Sequence, residues 1–512
     1  MTSPVPTTTS TQRIVIVGGG TAGWMCAAAL SKFGTGPRDR FAEITLVESE
    51  EIGTVGVGEA TIPQIRIYND MLRIDEDAFL RETNGTIKLA IEFDGWLKAG
   101  QSYMHAFGVL GRDLGFVPFH HYWLKAHLAG QDDNLWAYSL NDMAARAGRF
   151  SRVERIADGQ MPGMPYAFHF DAGLYAQFLR RMAEASGARR IEGRIVKVEQ
   201  RAEDGFVTGV QLADGQTVEG DLFIDCSGFR ALLMGETLGI GYEDWSHWLP
   251  CDRAWAVPCE NAPKLTPYTR STARQAGWQW RIPLQNRIGN GHVFASSHID
   301  EQAAADVLLA NLDGKALADP RLIKFRTGRR KKVWEKNVIT MGLASGFLEP
   351  LESTSIHMVQ SAIGRLITLL PSGTPAPALV DEYNTQSRTE IELVRDFIIL
   401  HYHANQRDEP FWQACRDMPV PETLKHKIEL FRQTGVIQCA SNDLFQHPSW
   451  LQVLIGQGIK PQSSHGFVDL VPAMDRNNYM RDLRTIYAQE LARMPMHEAF
   501  IAKNCAAQFA AQ

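Results

Sequence analysis

The sequence predicts an α/β fold built on a dinucleotide-binding βαβ unit, and three observations carry that expectation. Arg13–Val17 is a short β-branched run leading straight into Gly18-Gly19-Gly20-Thr21-Ala22-Gly23 and the apolar stretch Trp24–Leu30. A second apolar run, Ile44–Val47, ends at an acidic residue, Glu48. Strand-like runs closing on glycine recur at 221–228 and 338–342, and from about residue 378 the pattern turns helical.

At the first junction Gly18, Gly20 and Gly23 meet the spacing G-x-G-x-x-G between a strand and a helix. Glycines there let the chain turn tightly and approach a pyrophosphate, which the helix N-terminus at Thr21 and Ala22 then holds. Glu48 lies 30 residues after Gly18, placed to bind a ribose hydroxyl. A second glycine-rich loop, Gly53–Pro63, follows that strand and carries Ala60. Its few side chains let it approach a flavin ring, which favours FAD over NAD. With the junctions at Gly228 and Gly342, the set resembles the FAD-binding half of flavin monooxygenases.

Thr86 to Trp96 alternates, with Ile87, Leu89, Ile91 and Phe93 on one face and Lys88, Ala90, Glu92 and Asp94 on the other. That pattern predicts one half-buried strand with Lys88 on its polar face. Residues 118–136 are rich in aromatics; His120 and His121 are adjacent, a poor spacing for metal ligands, and no metal site is expected. A helix from Asp171 to Ala185 follows, then a strand pair, 190–200 with 207–212, around Gly205. Trp278 and Trp280 lie on one face of a strand, where an aromatic pair is ordinary core. Ile356, Val359, Ile363, Leu366 and Leu370 recur at helical spacing, with Glu352, Ser353 and Thr354 at the capping positions and Pro371 beyond. A helix opening from an irregular loop offers unpaired N–H groups and a positive dipole end, an anion site. Helices are expected over 383–402, 422–433 and 479–493. The organisation expected is a disordered tail over 1–12, an FAD-binding domain over 13–377 with substrate-binding insertions at about 100–180 and 240–325, and a helical cap over 378–512.

Composition narrows the function classes. The 52 Lys and Arg against 58 Asp and Glu leave a net charge of −6, which argues against a nucleic-acid or anionic-membrane surface. No apolar run reaches the ~18 residues a membrane span needs. Met1–Gln12 lacks the apolar core of a signal peptide. Seven cysteines without a C-x-x-C pair suggest neither a disulfide framework nor a zinc cluster, and a cytoplasmic location fits.

Four segments together, Gly18–Trp24, Gly56–Pro63, Trp278–Pro283 and Phe347–Thr354, resemble the flavin-dependent tryptophan halogenases, in which W-x-W-x-I-P is the hallmark. The similarity runs from about residue 13 past residue 370. It implies an FADH2-dependent halogenase that uses O2 and chloride or bromide on an indole-type aromatic substrate, through a flavin hydroperoxide and hypohalous acid. FADH2 would come from a separate NADH-dependent reductase, and a homodimer is expected. Asn84–Ile91 resembles the segment carrying the family's catalytic lysine, which selects Lys88. Glu352 matches the catalytic glutamate that accepts the ring proton, and Ser353 bridges the flavin and lysine sides. Gly342 and Leu351 join Gly18, Gly20, Thr21, Ala22, Gly23, Glu48 and Ala60 as cofactor contacts. Backbone N–H groups of Thr354 and Ser355 match the halide site, although the family usually has glycine at 355. His105 and Phe107, in His-x-Phe-Gly, are placed to sandwich the substrate, with Trp450 further along. The segment 445–458 lacks the Tyr-Tyr of the tryptophan-specific enzymes, which points to an indole compound without the amino-acid clamp. The alternative is a flavin-dependent aromatic hydroxylase, separable by product mass.

Overall fold

Two sheets carry the fold in a computed structural model that describes residues 11–34, 41–51, 58–132 and 134–508. The first has six strands in the order Arg189–Glu192, Ala42–Glu48, Gln12–Val17, Leu222–Asp225, Val338–Thr340 and Trp334–Glu335. All neighbours are parallel except the last pair. Ile14 and Ile16 face the main core while Val15 and Val17 face a smaller one with Val210 and Leu233, so the central strand is buried on both sides. The helix Thr21–Gly34 packs on the strand Ala42–Glu48 and on the helix Ala172–Ala185, which Asp171 caps through Gly173 and Leu174 N–H. Gln12 already belongs to the first strand, so structure begins before the expected boundary, and residues 1–10 lie outside the described residues. Of the second glycine-rich loop, 53–57 also lie outside them, and Gly58–Ala60 is a strand.

The second sheet has seven strands: Arg321–Lys324, Arg253–Cys259, Ile288–Phe294, Gly277–Pro283, Tyr268–Arg274, Ala90–Asp94 and Ser102–Ala106. The single strand expected over 86–96 is therefore two. Thr86–Lys88 pairs with Ala167–Asp171 in a three-stranded sheet, and Ala90–Asp94 joins the seven-stranded one. Between them the Leu89 N–H donates to the Pro267 carbonyl, and the Leu89 carbonyl accepts from Phe107 N–H. The chain changes sheets there, which turns Lys88 inward to complete burial rather than onto a polar face. Residues 190–200 split likewise: Arg189–Glu192 joins the parallel sheet, and only Ile195–Gln200 pairs with Val207–Leu212.

The helix Ser355–Thr368 ends before Pro371, and Thr354 stands at its N-cap without a side-chain capping bond. The helix Pro377–His403 opens the C-terminal helices, among them Glu422–Thr434, His447–Gly456 and Ala473–Arg493. No helix among the described residues is long and apolar enough to cross a membrane. All seven cysteines are free.

Candidate active site

A cavity of about 510 Å³ is lined by both sheets and by the start of the Ser355–Thr368 helix. Gly18, Gly20, Thr21, Ala22, Glu48, Ala60 and Gly342 line it from one side, and Trp278 and Trp280 from the other. Ser353, Thr354, Ser355 and Met358 close its end. Gly23 and Leu351 stand outside the lining. A Cβ on Gly23 would sit 1.9 Å from the Gly18 carbonyl oxygen, so this glycine lets the helix approach the strand. Leu351 is buried in the turn Pro350–Glu352.

The glycine turn fits a phosphate-bearing cofactor. Gly18 has φ 111°, and a Cβ there would meet the Cys226 carbonyl oxygen at 2.3 Å. A Cβ on Gly19 would overlap the Glu48 carboxylate, yet around Gly20 nothing lies within 4 Å. The turn is pressed against the sheet on one side and left bare on the cavity side, beside a helix N-terminus, the form an anionic phosphate needs. Glu48 stands at its strand end, with one oxygen held by Arg190. Volume and donor set both suit FAD.

Behind Ser353 lies a second, closed cluster. Ser353 takes a left-handed backbone, φ 58°, uncommon for a residue with a side chain. Its Oγ lies 2.7 Å from Lys88 Nζ, which donates to it. Nζ is 5.3 Å from the centre of the Phe107 ring. Burial lowers the Lys88 pKa to about 7, with the Glu352 charge pulling the other way. Glu352 is also fully buried, with Oε2 2.8 Å from His105 Nδ1 and Oε1 2.8 Å from His401 Nε2. Burial pushes its pKa up, but the two imidazoles outweigh burial and bring it down to about 2.

A second carboxyl sits in the same turn. Glu349 Oε2 accepts from Tyr402 Oη at 2.5 Å and from Trp278 Nε1 at 2.8 Å. Burial raises its pKa to about 7, against both donors. Trp278 therefore ties its strand to the catalytic turn while lining the cavity. His401 and Tyr402 are consecutive, so one helix end grips both carboxyls.

Beyond His105 the wall is aromatic. Phe397 lies 5.6 Å from the His105 ring and stacks on Phe445 at 4.0 Å. Trp450 meets Phe397 edge-on at 4.9 Å, and Lys427 Nζ covers its ring at 3.7 Å. Trp450 thus reaches His105 only by way of Phe397. Gln452 pins this helix to the strand Ser102–Ala106 through both backbone groups of Ala106.

The structure brings Lys88, Glu352, Ser353, His105 and Phe107 into one cluster and places Thr354 and Ser355, the residues expected to hold halide, on the wall of the cavity. Sequence reasoning missed Glu349, His401 and Tyr402. Their signals were a Glu-x-x-Glu spacing and a His-Tyr pair closing the apolar run Phe397–Leu400.

The tryptophan halogenase family profile matches residues 13–473. Tryptophan 6-halogenase ThaL of Streptomyces albogriseolus is 35% identical over 449 residues, 82% of this chain and 81% of that one. Tryptophan 7-halogenase RebH of Lentzea aerocolonigenes is 35% identical over 452 residues, 84% of each. Xcc4156, a flavin-dependent halogenase from Xanthomonas campestris, superposes with a TM-score of 0.94 at 48% identity, covering 98% of this chain and 100% of that chain. BrvH, a flavin-dependent halogenase from Brevundimonas sp. BAL3, superposes with a TM-score of 0.91 at 46% identity, covering 97% and 100%. The profile match over most of the chain, the relatives at 35% identity and the superposition on flavin-dependent halogenases agree: this protein belongs to the tryptophan halogenase family and is a flavin-dependent halogenase.

Proposed function

We propose that this halogenase installs chloride or bromide on an indole-type substrate lacking the ammonium and carboxylate of free tryptophan, with FADH2 delivered by a separate NADH-dependent reductase. The observation that carries the reading is the contact from Lys88 Nζ to Ser353 Oγ at the cavity wall, with Glu352 next in the chain. Reduced FAD, with O2 and halide, supplies the electrophilic halogen. Gly18, Gly20 and the helix start at Thr21 and Ala22 take the pyrophosphate, and Glu48 takes a ribose hydroxyl. The backbone N–H groups of Thr354 and Ser355, at the start of the helix, hold the halide. Lys88 donates to the oxidised halogen and fixes it beside a ring packed by Phe107 and His105. Glu352 takes the ring proton as the carbon–halogen bond forms. Placement of one ring carbon against a confined oxidant is the main catalytic contribution. The helices from 378 onward cap the substrate, and a homodimer is part of the same proposal.

The test is mass spectrometry of reactions with FAD, NADH and a flavin reductase, offering indole and free tryptophan separately with each halide. A halogen isotope pattern on indole and not on tryptophan is the expected result. Preferred turnover of free tryptophan would overturn the substrate assignment.

A further inference from the structure

We propose that His401 is a positioning residue for Glu352: its buried ring donates to one carboxylate oxygen, fixing it and helping to keep the buried base ionised. This rests on the reading of Glu352 as the group that takes the ring proton. His401 is 0% exposed, on the last turn of the Pro377–His403 helix. Its Nδ1 lies 2.9 Å from the Phe397 carbonyl oxygen, which can only accept, so Nδ1 carries a proton. Its Nε2 lies 2.8 Å from Glu352 Oε1, a separation at which two bare lone pairs repel unless a proton lies between them. Neither atom has another hydrogen-bond partner among the described residues, so each is left to the other. The other oxygen of Glu352 is taken by His105 Nδ1. The ionisable groups facing this pair are His105, Lys88 and Tyr103, and the rings of Phe93, Trp96 and Phe397 wall off His401.

The same turn supplies a control. Glu349 is as deeply buried as Glu352 but meets only neutral donors, the Tyr402 hydroxyl and the Trp278 N–H, and burial lifts it to about 7. Burial acts on Glu352 as well, but the imidazoles outweigh it. A base must be ionised before the proton arrives, and His401 provides that. In the step itself a ring electron pair forms the carbon–halogen bond as the halogen–oxygen bond of the hypohalous acid breaks, its oxygen leaving as water with a proton from Lys88; the C–H electron pair then returns to the ring and that proton passes to a free lone pair of Glu352.

The test is His401→Gln in the full chain with FAD, halide and FADH2 in excess, since glutamine keeps a donor in place of the imidazole. The variant-to-wild-type rate ratio is expected to fall at least ~10-fold at about pH 6 and to climb towards one by about pH 9, as Glu352 titrates nearer neutrality. A protonated-carboxyl infrared band should appear at neutral pH and vanish when Glu352→Gln is added. A ratio that is flat across pH, or the lack of that band, overturns the inference. If the variant does not fold, nitrogen NMR of the wild type decides. A histidine ring N–H bonded to a carboxylate, whose signal moves in Glu352→Gln, supports the proposal, and its absence overturns it. A wild-type halogenation rate in Glu352→Gln would instead remove the underlying reading of Glu352 as base.

Discussion

Lys88 and Ser353 meet under opposing local preferences. A left-handed backbone at Ser353 costs about 1–2 kcal/mol, while a hydrogen bond to a charged ammonium contributes about 1.5–3 kcal/mol. The contact offsets the strain most fully while Lys88 is protonated, although burial makes that charged form the costlier one in the folded chain. With its pKa near 7, Lys88 loses that proton within the working range. If the ammonium is the donor to the oxidised halogen, halogenation falls as pH rises through about 7, and Lys88→Ala abolishes product by at least ~100-fold while FADH2 oxidation continues. A rate that climbs through the same pH would identify the neutral amine as a nucleophile instead. The sign for stability follows from linkage. The unfolded chain binds this proton up to 10.5 and the folded chain only below about 7, so the Lys88 contribution to stability grows with pH between them. The role proposed for Lys88 comes from resemblance. Its period-2 alternation gave the wrong face, because strand alternation holds only while a strand stays in one sheet.

At the scale of the element, the two ends of the glycine turn serve different needs. A Cβ on Gly18 runs into the Cys226 backbone, whereas one on Gly20 projects into open cavity space. Gly18→Ala is expected to lower the melting temperature of the cofactor-free protein, by a destabilisation of about 1–3 kcal/mol. Gly20→Ala should leave that temperature unchanged and weaken FAD binding. Thermal scans and a flavin fluorescence titration read the two separately, and equal thermal losses in both variants would sink the distinction. The glycine signature was readable because phosphate binding is done by consecutive backbone. The turn Pro350–Glu352 was half readable. Its carboxyls are local, but the His401–Tyr402 pair that holds them lies about fifty residues on, within a helix whose periodicity reports burial rather than pairing.

For the molecule as a whole, the FAD cavity is where the parallel sheet, the seven-stranded sheet and the Ser355–Thr368 helix meet. A ligand there stabilises all three together, by about 2.7 kcal/mol at a hundredfold excess over its Kd. FAD should therefore raise a single unfolding transition seen equally by tryptophan fluorescence and by circular dichroism. Two transitions, of which FAD moves one, would show that the sheets unfold separately. The fold class was open to sequence reading because its signals are short and repeated. The seven-stranded sheet was not, since it joins strands near residue 100 to strands near residue 290 through pairings that leave no local period.

Met358 follows Ser355 by less than one helical turn and lines the same cavity. A thioether reacts readily with hypohalite and becomes a polar sulfoxide. On the proposed reading of this cavity, an oxidant that escapes Lys88 would find a sacrificial sulfur in the same chamber.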